Sequence, residues 1–221
     1  MTRAKKTRQW YKTHTSDHYV KQAQHQGLRS RASFKLQEIQ TKDELIKPGM
    51  RVLDLGAAPG GWSECCVDWV GRSGKVVGID LLPIDPIVGV DFFQEDFTLL
   101  AERLPESEPL AQAMSQPFDV ILSDMAPDMS GIRAVDQLAS IGLCEEVLDF
   151  ATRHLKPGGD LLIKVFQGEG TDDLKAAMRA SFEKVVVRKP KSSRPKSREV
   201  YFLGKNLGII QDTISIQRGQ L

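Results

Sequence analysis

The chain has 221 residues, of which 41% are hydrophobic and 27% are charged, a composition typical of one globular domain with short extensions. It excludes a wholly disordered, collagen-like or low-complexity protein. No apolar run approaches the roughly 20 residues that a membrane helix requires, and no apolar segment of a secretory signal follows the basic start. The three cysteines form no C-x-x-C pair. We therefore expect a cytoplasmic protein without membrane association, disulfides or metal.

Charge is strongly segregated along the chain, although the formal net charge is only +1. Residues 1–35 contain nine Lys or Arg and one acid, and residues 184–198 contain seven Lys or Arg and no acid. Residues 36–183 contain 12 Lys or Arg against 26 Asp or Glu. Clustered cations favour a polyphosphate partner, because each neutralised phosphate releases counterions. The segment at 184–198, which lies between two predicted strands and returns to the core, therefore indicates binding to a nucleic acid. Residues 1–20 either bind nucleic acid as well or form a disordered, solubilising N-terminus.

The predicted elements alternate between helices and short apolar strands. The first is a helix at 27–40, for which Ser30 or Ser33 could serve as the N-cap. Strands are predicted at 51–55, 75–80, 88–93, 118–123, 160–166, 184–188 and 199–203. Helices are predicted at 62–70, 97–104, 134–155 and 171–181, with a polar loop to about 116 after the second of these. The strands are too apolar to be half exposed, so we expect an α/β fold with a mainly parallel seven-stranded sheet covered by helices on both faces. The last two strands are separated only by the basic loop, which favours an antiparallel hairpin at one edge.

Four carboxylates lie at or just after the carboxyl ends of successive predicted strands, namely Asp54, Asp80, Asp96 and Asp124. In open α/β sheets, ligands bind beyond these strand ends. A single Asp after a strand is usually a turn or cap residue, whereas four in register indicate a ligand site. Asp80 could accept hydrogen bonds from both ribose hydroxyls of an adenosine, and Asp96 could accept one from the adenine amino group. Asp54 and the turn that follows it could hold the charged groups of an amino acid.

That turn, Asp54-Leu-Gly-Ala-Ala-Pro-Gly-Gly-Trp62, is rich in glycine and opens a helix. Gly56 and Gly60 would let a ligand approach the backbone closely. Pro59 removes an N–H group that a pyrophosphate-binding loop would use. The turn and the carboxylates together favour S-adenosylmethionine as the ligand, with NAD on a similar fold as the alternative.

Lys164 interrupts the apolar strand predicted at 160–166. Lysine is rarely buried without a partner, so the residue either extends to solvent or belongs to a polar site. Partners would be Asp124 at the end of the neighbouring strand, Glu199 at the start of the last strand and Lys35 on the first helix.

Five motifs make the chain resemble a known family over nearly its whole length. They are Ser30-Arg-Ala-Ser-Phe-Lys35, Asp54-Leu-Gly-Ala-Ala-Pro-Gly-Gly-Trp62, Ser123-Asp-Met-Ala-Pro127, Ile163-Lys-Val-Phe166 and Ser197-Arg-Glu-Val-Tyr201. The chain resembles the FtsJ-type ribosomal RNA 2′-O-methyltransferases of bacteria. The resemblance implies a Rossmann-like, S-adenosylmethionine-dependent methyltransferase fold. The expected organisation is a basic arm at 1–28, whose order remains open, a methyltransferase domain at 29–204 and a C-terminal extension at 205–221.

The same resemblance implies the site residues. It places a catalytic Lys-Asp-Lys-Glu tetrad on Lys35, Asp124, Lys164 and Glu199, and donor-binding positions on Gly60, Trp62, Asp80, Asp96 and Asp124, to which the turn adds Asp54 and Gly56. Residues expected to bind RNA are Arg29, Arg31, Lys189, Lys191, Arg194, Lys196 and Arg198. The implied substrate is a uridine 2′-hydroxyl in 23S rRNA of the large ribosomal subunit, and the enzyme is expected to be a monomer.

Three alternatives remain open from the sequence. They are a tRNA or mRNA-cap 2′-O-methyltransferase, a non-catalytic RNA-binding assembly factor and an NAD-dependent oxidoreductase. Also open are the modified nucleotide and the need for an assembled subunit. The protonation state of Lys164 is open because burial and Lys35 would lower its pKa while Asp124 and Glu199 would raise it.

Overall fold

The computed structural model of the protein describes residues 18–102, 107–194 and 196–208. Its sheet contains β1 Arg51–Leu55, β2 Lys75–Asp80, β3 Val90–Gln94, β4 Phe118–Ser123, β5 Leu155–Phe166, β6 Phe182–Arg188 and β7 Glu199–Leu207. The strand order is β3-β2-β1-β4-β5-β7-β6. Within this sheet, only β7 runs in the direction opposite to the other six strands. The prediction of a mainly parallel seven-stranded sheet is confirmed.

Helices cover both faces of this sheet. In the described residues they are α1 His18–His25, α2 Ala32–Asp43, α3 Gly61–Val70, α4 Phe97–Glu102, α5 Glu108–Met114, α6 Arg133–His154 and α7 Thr171–Ser181. One hydrophobic cluster packs α4 to α7 against one face, and a second packs α2 and α3 against the other. The central strands β1, β2 and β4 are thereby almost wholly buried, as their apolar composition requires.

The last hairpin is found at the expected edge, but its antiparallel strand is not the outermost one. β7 lies between β5 and β6, so β6 forms the edge. The reason is burial, since the first half of β7 is almost wholly buried whereas β6, apart from the buried Phe182, is partly or fully exposed. β7 also continues to Leu207, three residues beyond the predicted end of the domain. Its register pairs Lys164 with Tyr201 and Phe166 with Glu199.

The start of one predicted helix was wrong, and one predicted loop contains a helix. Residues 27–31 do not belong to α2, because Gly27 adopts a left-handed conformation (φ +70) and separates α1 from α2. Ser30 accepts a hydrogen bond from the first backbone N–H of α2 at 3.2 Å. The expected loop before β4 contains α5, which Ser107 caps through the backbone N–H of Leu110 at 3.4 Å. Leu110 is buried in the core, and this contact favours a helix over the predicted loop.

The predicted basic arm lies only partly within the described residues. Residues 18–28 include α1, which packs through Tyr19 against Phe34 with ring centroids 5.6 Å apart. Residues 1–17 and 209–221 lie outside the described part, so the order of the arm and the role of the C-terminal extension stay open. Within the described ranges, no helix is long and apolar enough to cross a membrane. The same residues contain no group of three or more His, Cys, Asp or Glu arranged to hold a metal ion.

Candidate active site

A cavity of about 620 Å³ lies beyond the carboxyl ends of β1, β2 and β4. The predicted donor-binding residues in its wall are Gly56, Asp80, Asp96 and Asp124. Apolar side chains complete the wall, among them Leu81, Phe97 and Met125. This size and mixture of polar and apolar groups are typical of small-molecule sites.

Gly56 allows the first turn to pass close beneath this cavity. It has a left-handed φ of +74, and a Cβ atom at this position would lie 2.1 Å from Cγ of Met125. Any larger residue would therefore be strained by its backbone and would collide with the neighbouring loop. The glycine is required by the turn itself, and it leaves the backbone open to a ligand.

Asp80 and Asp96 have local structural roles in addition to lining the cavity. Asp80 accepts hydrogen bonds at 2.8 Å from the backbone N–H groups of Ala58 and Leu82. Asp96 caps α4 by accepting from the N–H of Thr98 at 3.0 Å and from its hydroxyl at 2.7 Å. A carboxylate has about four lone-pair positions, so each Asp retains acceptor capacity toward the cavity.

Asp54 does not line the cavity. Its side chain is 1% exposed and accepts a hydrogen bond from the Ser63 hydroxyl at 2.6 Å. Burial raises the pKa of Asp54 to about 7, and the charges of Asp124 and Asp80 add to the rise while the Ser63 hydrogen bonds oppose it. Asp54 therefore stabilises the turn from the buried side, through its hydrogen bond with Ser63, and does not contact the cavity.

Gly60 and Trp62 also lie outside the cavity wall. A Cβ atom on Gly60 would approach Cδ1 of Ile87 to 2.5 Å, so this glycine admits the loop that follows β2. The indole N–H of Trp62 donates to the carbonyl of Ala32 at 2.8 Å, and its ring lies 5.8 Å from that of Tyr201. Both residues join the turn to neighbouring elements, a role that sequence spacing did not reveal.

The four predicted tetrad residues form one cluster. The Nζ atom of Lys35 lies 3.0 Å from both carboxylate oxygens of Glu199 and 3.8 Å from Oδ1 of Asp124. The Nζ atom of Lys164 lies 3.4 Å from the same Asp124 oxygen and donates to the Asp124 backbone carbonyl. The four side chains are only 10–18% exposed. Lys164 therefore does not extend to solvent, and that alternative for this lysine was wrong.

Two further side chains complete the cluster, and neither was assigned a role from the sequence. Tyr201 donates its hydroxyl to Oδ1 of Asp124 at 2.6 Å, and Ser193 donates to Glu199 at 2.7 Å. Burial would raise the pKa of Glu199, but Lys35, the Ser193 hydrogen bond and Lys164 together hold that pKa below its usual value. Burial first, and then the Asp124 charge, raise the pKa of Tyr201 well above 10. Tyr201 thus stays a hydrogen-bond donor at neutral pH.

The family model of FtsJ-like methyltransferases matches residues 28–207. The chain belongs to the FtsJ-like methyltransferase family. A protein of Alkalilimnicola ehrlichii named ribosomal RNA large subunit methyltransferase E is 50% identical to it over 203 residues, which cover 92% of this chain and 96% of that protein. A protein of the same name from Azoarcus is 51% identical over 207 residues, covering 94% of this chain and all of that protein.

A solved structure agrees with the family assignment. The crystal structure of a Plasmodium falciparum protein assigned as a ribosomal RNA methyltransferase superposes with a TM-score of 0.71 at 31% identity. The match covers 81% of this chain and 98% of that one. The predicted Rossmann-like methyltransferase fold is thereby confirmed.

In this methyltransferase, several of the basic residues predicted to bind RNA donate hydrogen bonds to backbone carbonyls. Arg29 donates to the carbonyls of Asp85 and Pro86, both at 3.0 Å, and so fixes the loop after β2. Arg31 donates to the carbonyl of Ser192. Lys189 donates to the carbonyls of Ser197 and Glu199. Arg198 donates to the carbonyl of Gln167. The contacts of Arg31, Lys189 and Arg198 hold the basic loop of residues 189–198 in place. Lys191, Arg194 and Lys196 on this loop are exposed.

The basic loop of the methyltransferase is fastened to α2. Both carboxylate oxygens of Glu38 accept from backbone N–H groups, those of Lys191 at 2.6 Å and Ser192 at 2.9 Å. Gln137 of α6 anchors the other end of the basic loop to β5. It accepts a hydrogen bond from Arg198 at 3.2 Å and donates one at 3.0 Å to the carbonyl of Phe166. The loop that carries the exposed cations is therefore anchored directly beside the tetrad.

Proposed function

We propose that this methyltransferase transfers the methyl group of S-adenosylmethionine to the 2′-hydroxyl of a uridine in 23S rRNA of the large ribosomal subunit. The observation that carries the proposal is the position of Asp124. This carboxylate lines the large cavity and also belongs to the lysine–carboxylate cluster. A methyl donor in the cavity and a hydroxyl at the cluster would therefore meet at one point. The names of the curated relatives support large-subunit rRNA as the acceptor.

The residues of the cavity fit such a donor. Asp80 stands at the end of β2, where a carboxylate can accept from ribose hydroxyls, and Asp96 follows β3 at the same rim. Leu81 and Phe97 supply apolar surface for a purine. The donor, when bound, supplies a methyl group activated by a sulfonium charge. An acidic wall favours that positive charge.

Lys164 is proposed as the residue that contacts the acceptor hydroxyl. An alcohol is a weak acid, so its proton must be accepted or its oxygen oriented as the methyl group is transferred. A neutral Lys164 would accept the proton. A charged Lys164 would orient the oxygen by donating a hydrogen bond to it, and water would take the proton. Lys35 and Glu199 pair with each other beside it and keep the cluster close to neutral overall.

The basic residues supply the second requirement, a surface for the RNA backbone. Lys191, Arg194 and Lys196 are exposed on a loop that is anchored next to the cluster. RNA phosphates bound there would lie beside the hydroxyl to be methylated. A large-subunit substrate would place the enzyme in the cytoplasm. That location and the monomeric state stay predictions, the latter tested by light scattering.

The decisive experiment compares Lys164→Ala with Lys184→Ala, a matched control on the exposed edge strand. We expect Lys164→Ala to reduce methyl transfer to large subunits by about 100-fold or more, because a positioned proton-transfer group contributes about 10²–10⁴-fold. Donor binding measured by calorimetry should change little in either variant. Near-normal turnover by Lys164→Ala would remove this lysine from the mechanism, and a pH–rate profile of the wild type would separate its two forms.

The acceptor is tested separately. Large subunits, free tRNA and capped RNA are offered as acceptors, and the products are digested and mapped by mass. The proposal expects a ribose-methylated uridine in 23S rRNA, and preferential methylation of tRNA or of the cap would contradict it. Failure to bind S-adenosylmethionine would favour a non-catalytic assembly factor. Stabilisation by NAD instead, in a thermal-shift assay, would favour the oxidoreductase.

A further inference from the structure

A second cavity, of about 220 Å³, adjoins the tetrad. It is lined by Arg31, Lys35, Arg194, Ser197 and Glu199. It shares Lys35 and Glu199 with the tetrad and shares no lining residue with the donor cavity. It is therefore distinct from the donor cavity and lies next to the tetrad, where the proposed function places the acceptor hydroxyl.

The charges around this cavity favour an anion. Three of the five lining side chains are cationic, and the single carboxylate, Glu199, has both oxygens 3.0 Å from the ammonium of Lys35. The charge of Glu199 is therefore largely compensated by Lys35, and the guanidinium groups of Arg31 and Arg194 make the cavity positive. Burial, followed by the like charge of Arg194, lowers the pKa of Arg31. An anion between the two guanidinium groups would relieve that repulsion.

The positions of these groups are set by the backbone around them. Arg31 donates to the carbonyl of Ser192 and lies over the ring of Tyr19, with 5.8 Å from its guanidinium carbon to the ring centroid. The N–H of Ser197 bonds to the carbonyl of Arg194 at 2.9 Å, which closes a turn at the cavity. The Ser197 hydroxyl oxygen accepts from the N–H of Glu199 at 3.1 Å, which leaves its O–H as a donor. The cavity is thus a formed subsite with two guanidinium groups and one hydroxyl donor.

The covalent structure of ribose identifies which anion would lie here. The carbon that carries the 2′-hydroxyl is bonded directly to the carbon that carries the 3′-phosphodiester, whereas the 5′-phosphate is attached through two further carbons. A hydroxyl held at the tetrad therefore places its own 3′-phosphate next to the tetrad. We propose that the Arg31–Arg194 cavity binds the 3′-phosphodiester of the nucleotide that is methylated. This inference rests on the proposed function, because it requires a ribose hydroxyl at the tetrad.

The test uses uridine 3′-monophosphate and uridine 5′-monophosphate as probes, titrated separately into the full-length protein at low salt and followed by NMR. We expect the 3′-isomer to bind about tenfold more tightly, the effect of about one additional charge-assisted hydrogen bond. Arg194→Gln and Ser197→Ala should each reduce or abolish the preference for the 3′-isomer. Lys47→Gln, which removes an exposed positive charge before β1 and outside both basic segments, should retain the preference for the 3′-isomer. Thermal unfolding of each variant establishes that it is folded.

Equal binding of the two isomers, or no measurable binding of either, would overturn the phosphate subsite. A preference that survives both Arg194→Gln and Ser197→Ala would also overturn it, because the phosphate would then lie elsewhere. Failure of the proposed function is separate and is seen in different measurements. A protein that binds S-adenosylmethionine and methylates 23S rRNA but lacks the 3′-preference would refute only the subsite.

Discussion

Replacing Asp54 by Asn should change how the stability of the protein depends on pH. The Asp54 carboxyl is buried, and its pKa is raised from 3.8 to about 7 in the folded state. Between these values the unfolded chain has lost the proton and the folded protein keeps it. The unfolded state then binds fewer protons, so the free energy of unfolding falls as the pH rises through this window.

The magnitude follows from the same two values. One proton of difference costs about 1.4 kcal/mol per pH unit, so the loss between pH 3.8 and about 7 is about 4 kcal/mol. Asn has nearly the shape of Asp and can still accept from the Ser63 hydroxyl, but it does not ionise. Asp54→Asn also introduces buried N–H donors. Without acceptors, these donors lower the stability of the variant by about 1–3 kcal/mol at every pH. That offset is independent of pH and does not affect the comparison.

The assay is urea unfolding of the wild type and Asp54→Asn at a series of pH values from 4 to 8. The quantity of interest is the difference between their unfolding free energies, in which the contributions of carboxyl groups that do not interact with Asp54 cancel. We expect this difference to shift in favour of the variant as the pH rises toward 7 and to level off above it. Two parallel curves across the whole range would refute a raised pKa at Asp54.

Four further substitutions test other parts of the site. Tyr201→Phe removes the hydroxyl that donates to Asp124, so we expect the unfolding free energy to fall by about 1–2 kcal/mol and the melting temperature by about 2–8 °C. Methyl transfer should also be slower, and an unchanged melting temperature would contradict this prediction. Arg29→Ala releases the loop after β2, so calorimetry should show donor affinity about three- to tenfold weaker while RNA affinity is retained. Weaker RNA affinity with unchanged donor affinity would instead indicate that Arg29 binds RNA. Lys191→Glu and Lys196→Glu should each reduce the slope of log RNA affinity against log salt by about 0.7–0.9 and leave donor affinity unchanged; an unaltered slope would exclude a phosphate contact.

Local patterns were sufficient for most of the fold. The apolar strands and the positions of α3, α6 and α7 follow from hydrophobic periodicity and from glycine or proline at their ends. The segment before β4 was predicted incorrectly because its short helix has only two buried positions, Leu110 and Ala113. The order of β6 and β7 was not readable either, because it depends on which strand packs better against β5.

Some of the residues around the large cavity were predicted from the sequence. Carboxylates after successive parallel strands must reach the same rim, and this rule correctly placed Asp80, Asp96 and Asp124 at the cavity. It failed for Asp54, because side chains alternate between the faces of a strand and the helix after the turn covers this residue. The motif therefore predicted the position of the turn, but not which of its side chains line the cavity.

The sequence alone was enough to predict the α/β class, the row of carboxylates and the two basic segments, because each depends on residues that are near one another in the chain. The cluster around Asp124 depends on pairs such as Lys35 and Glu199, which are 164 positions apart. Only the antiparallel pairing of β7 with β5 brings Glu199 and Tyr201 to the end of the strand that carries Lys164. Hydrophobic burial of β7 is the physical cause of that pairing, and it is a property of the whole packed sheet.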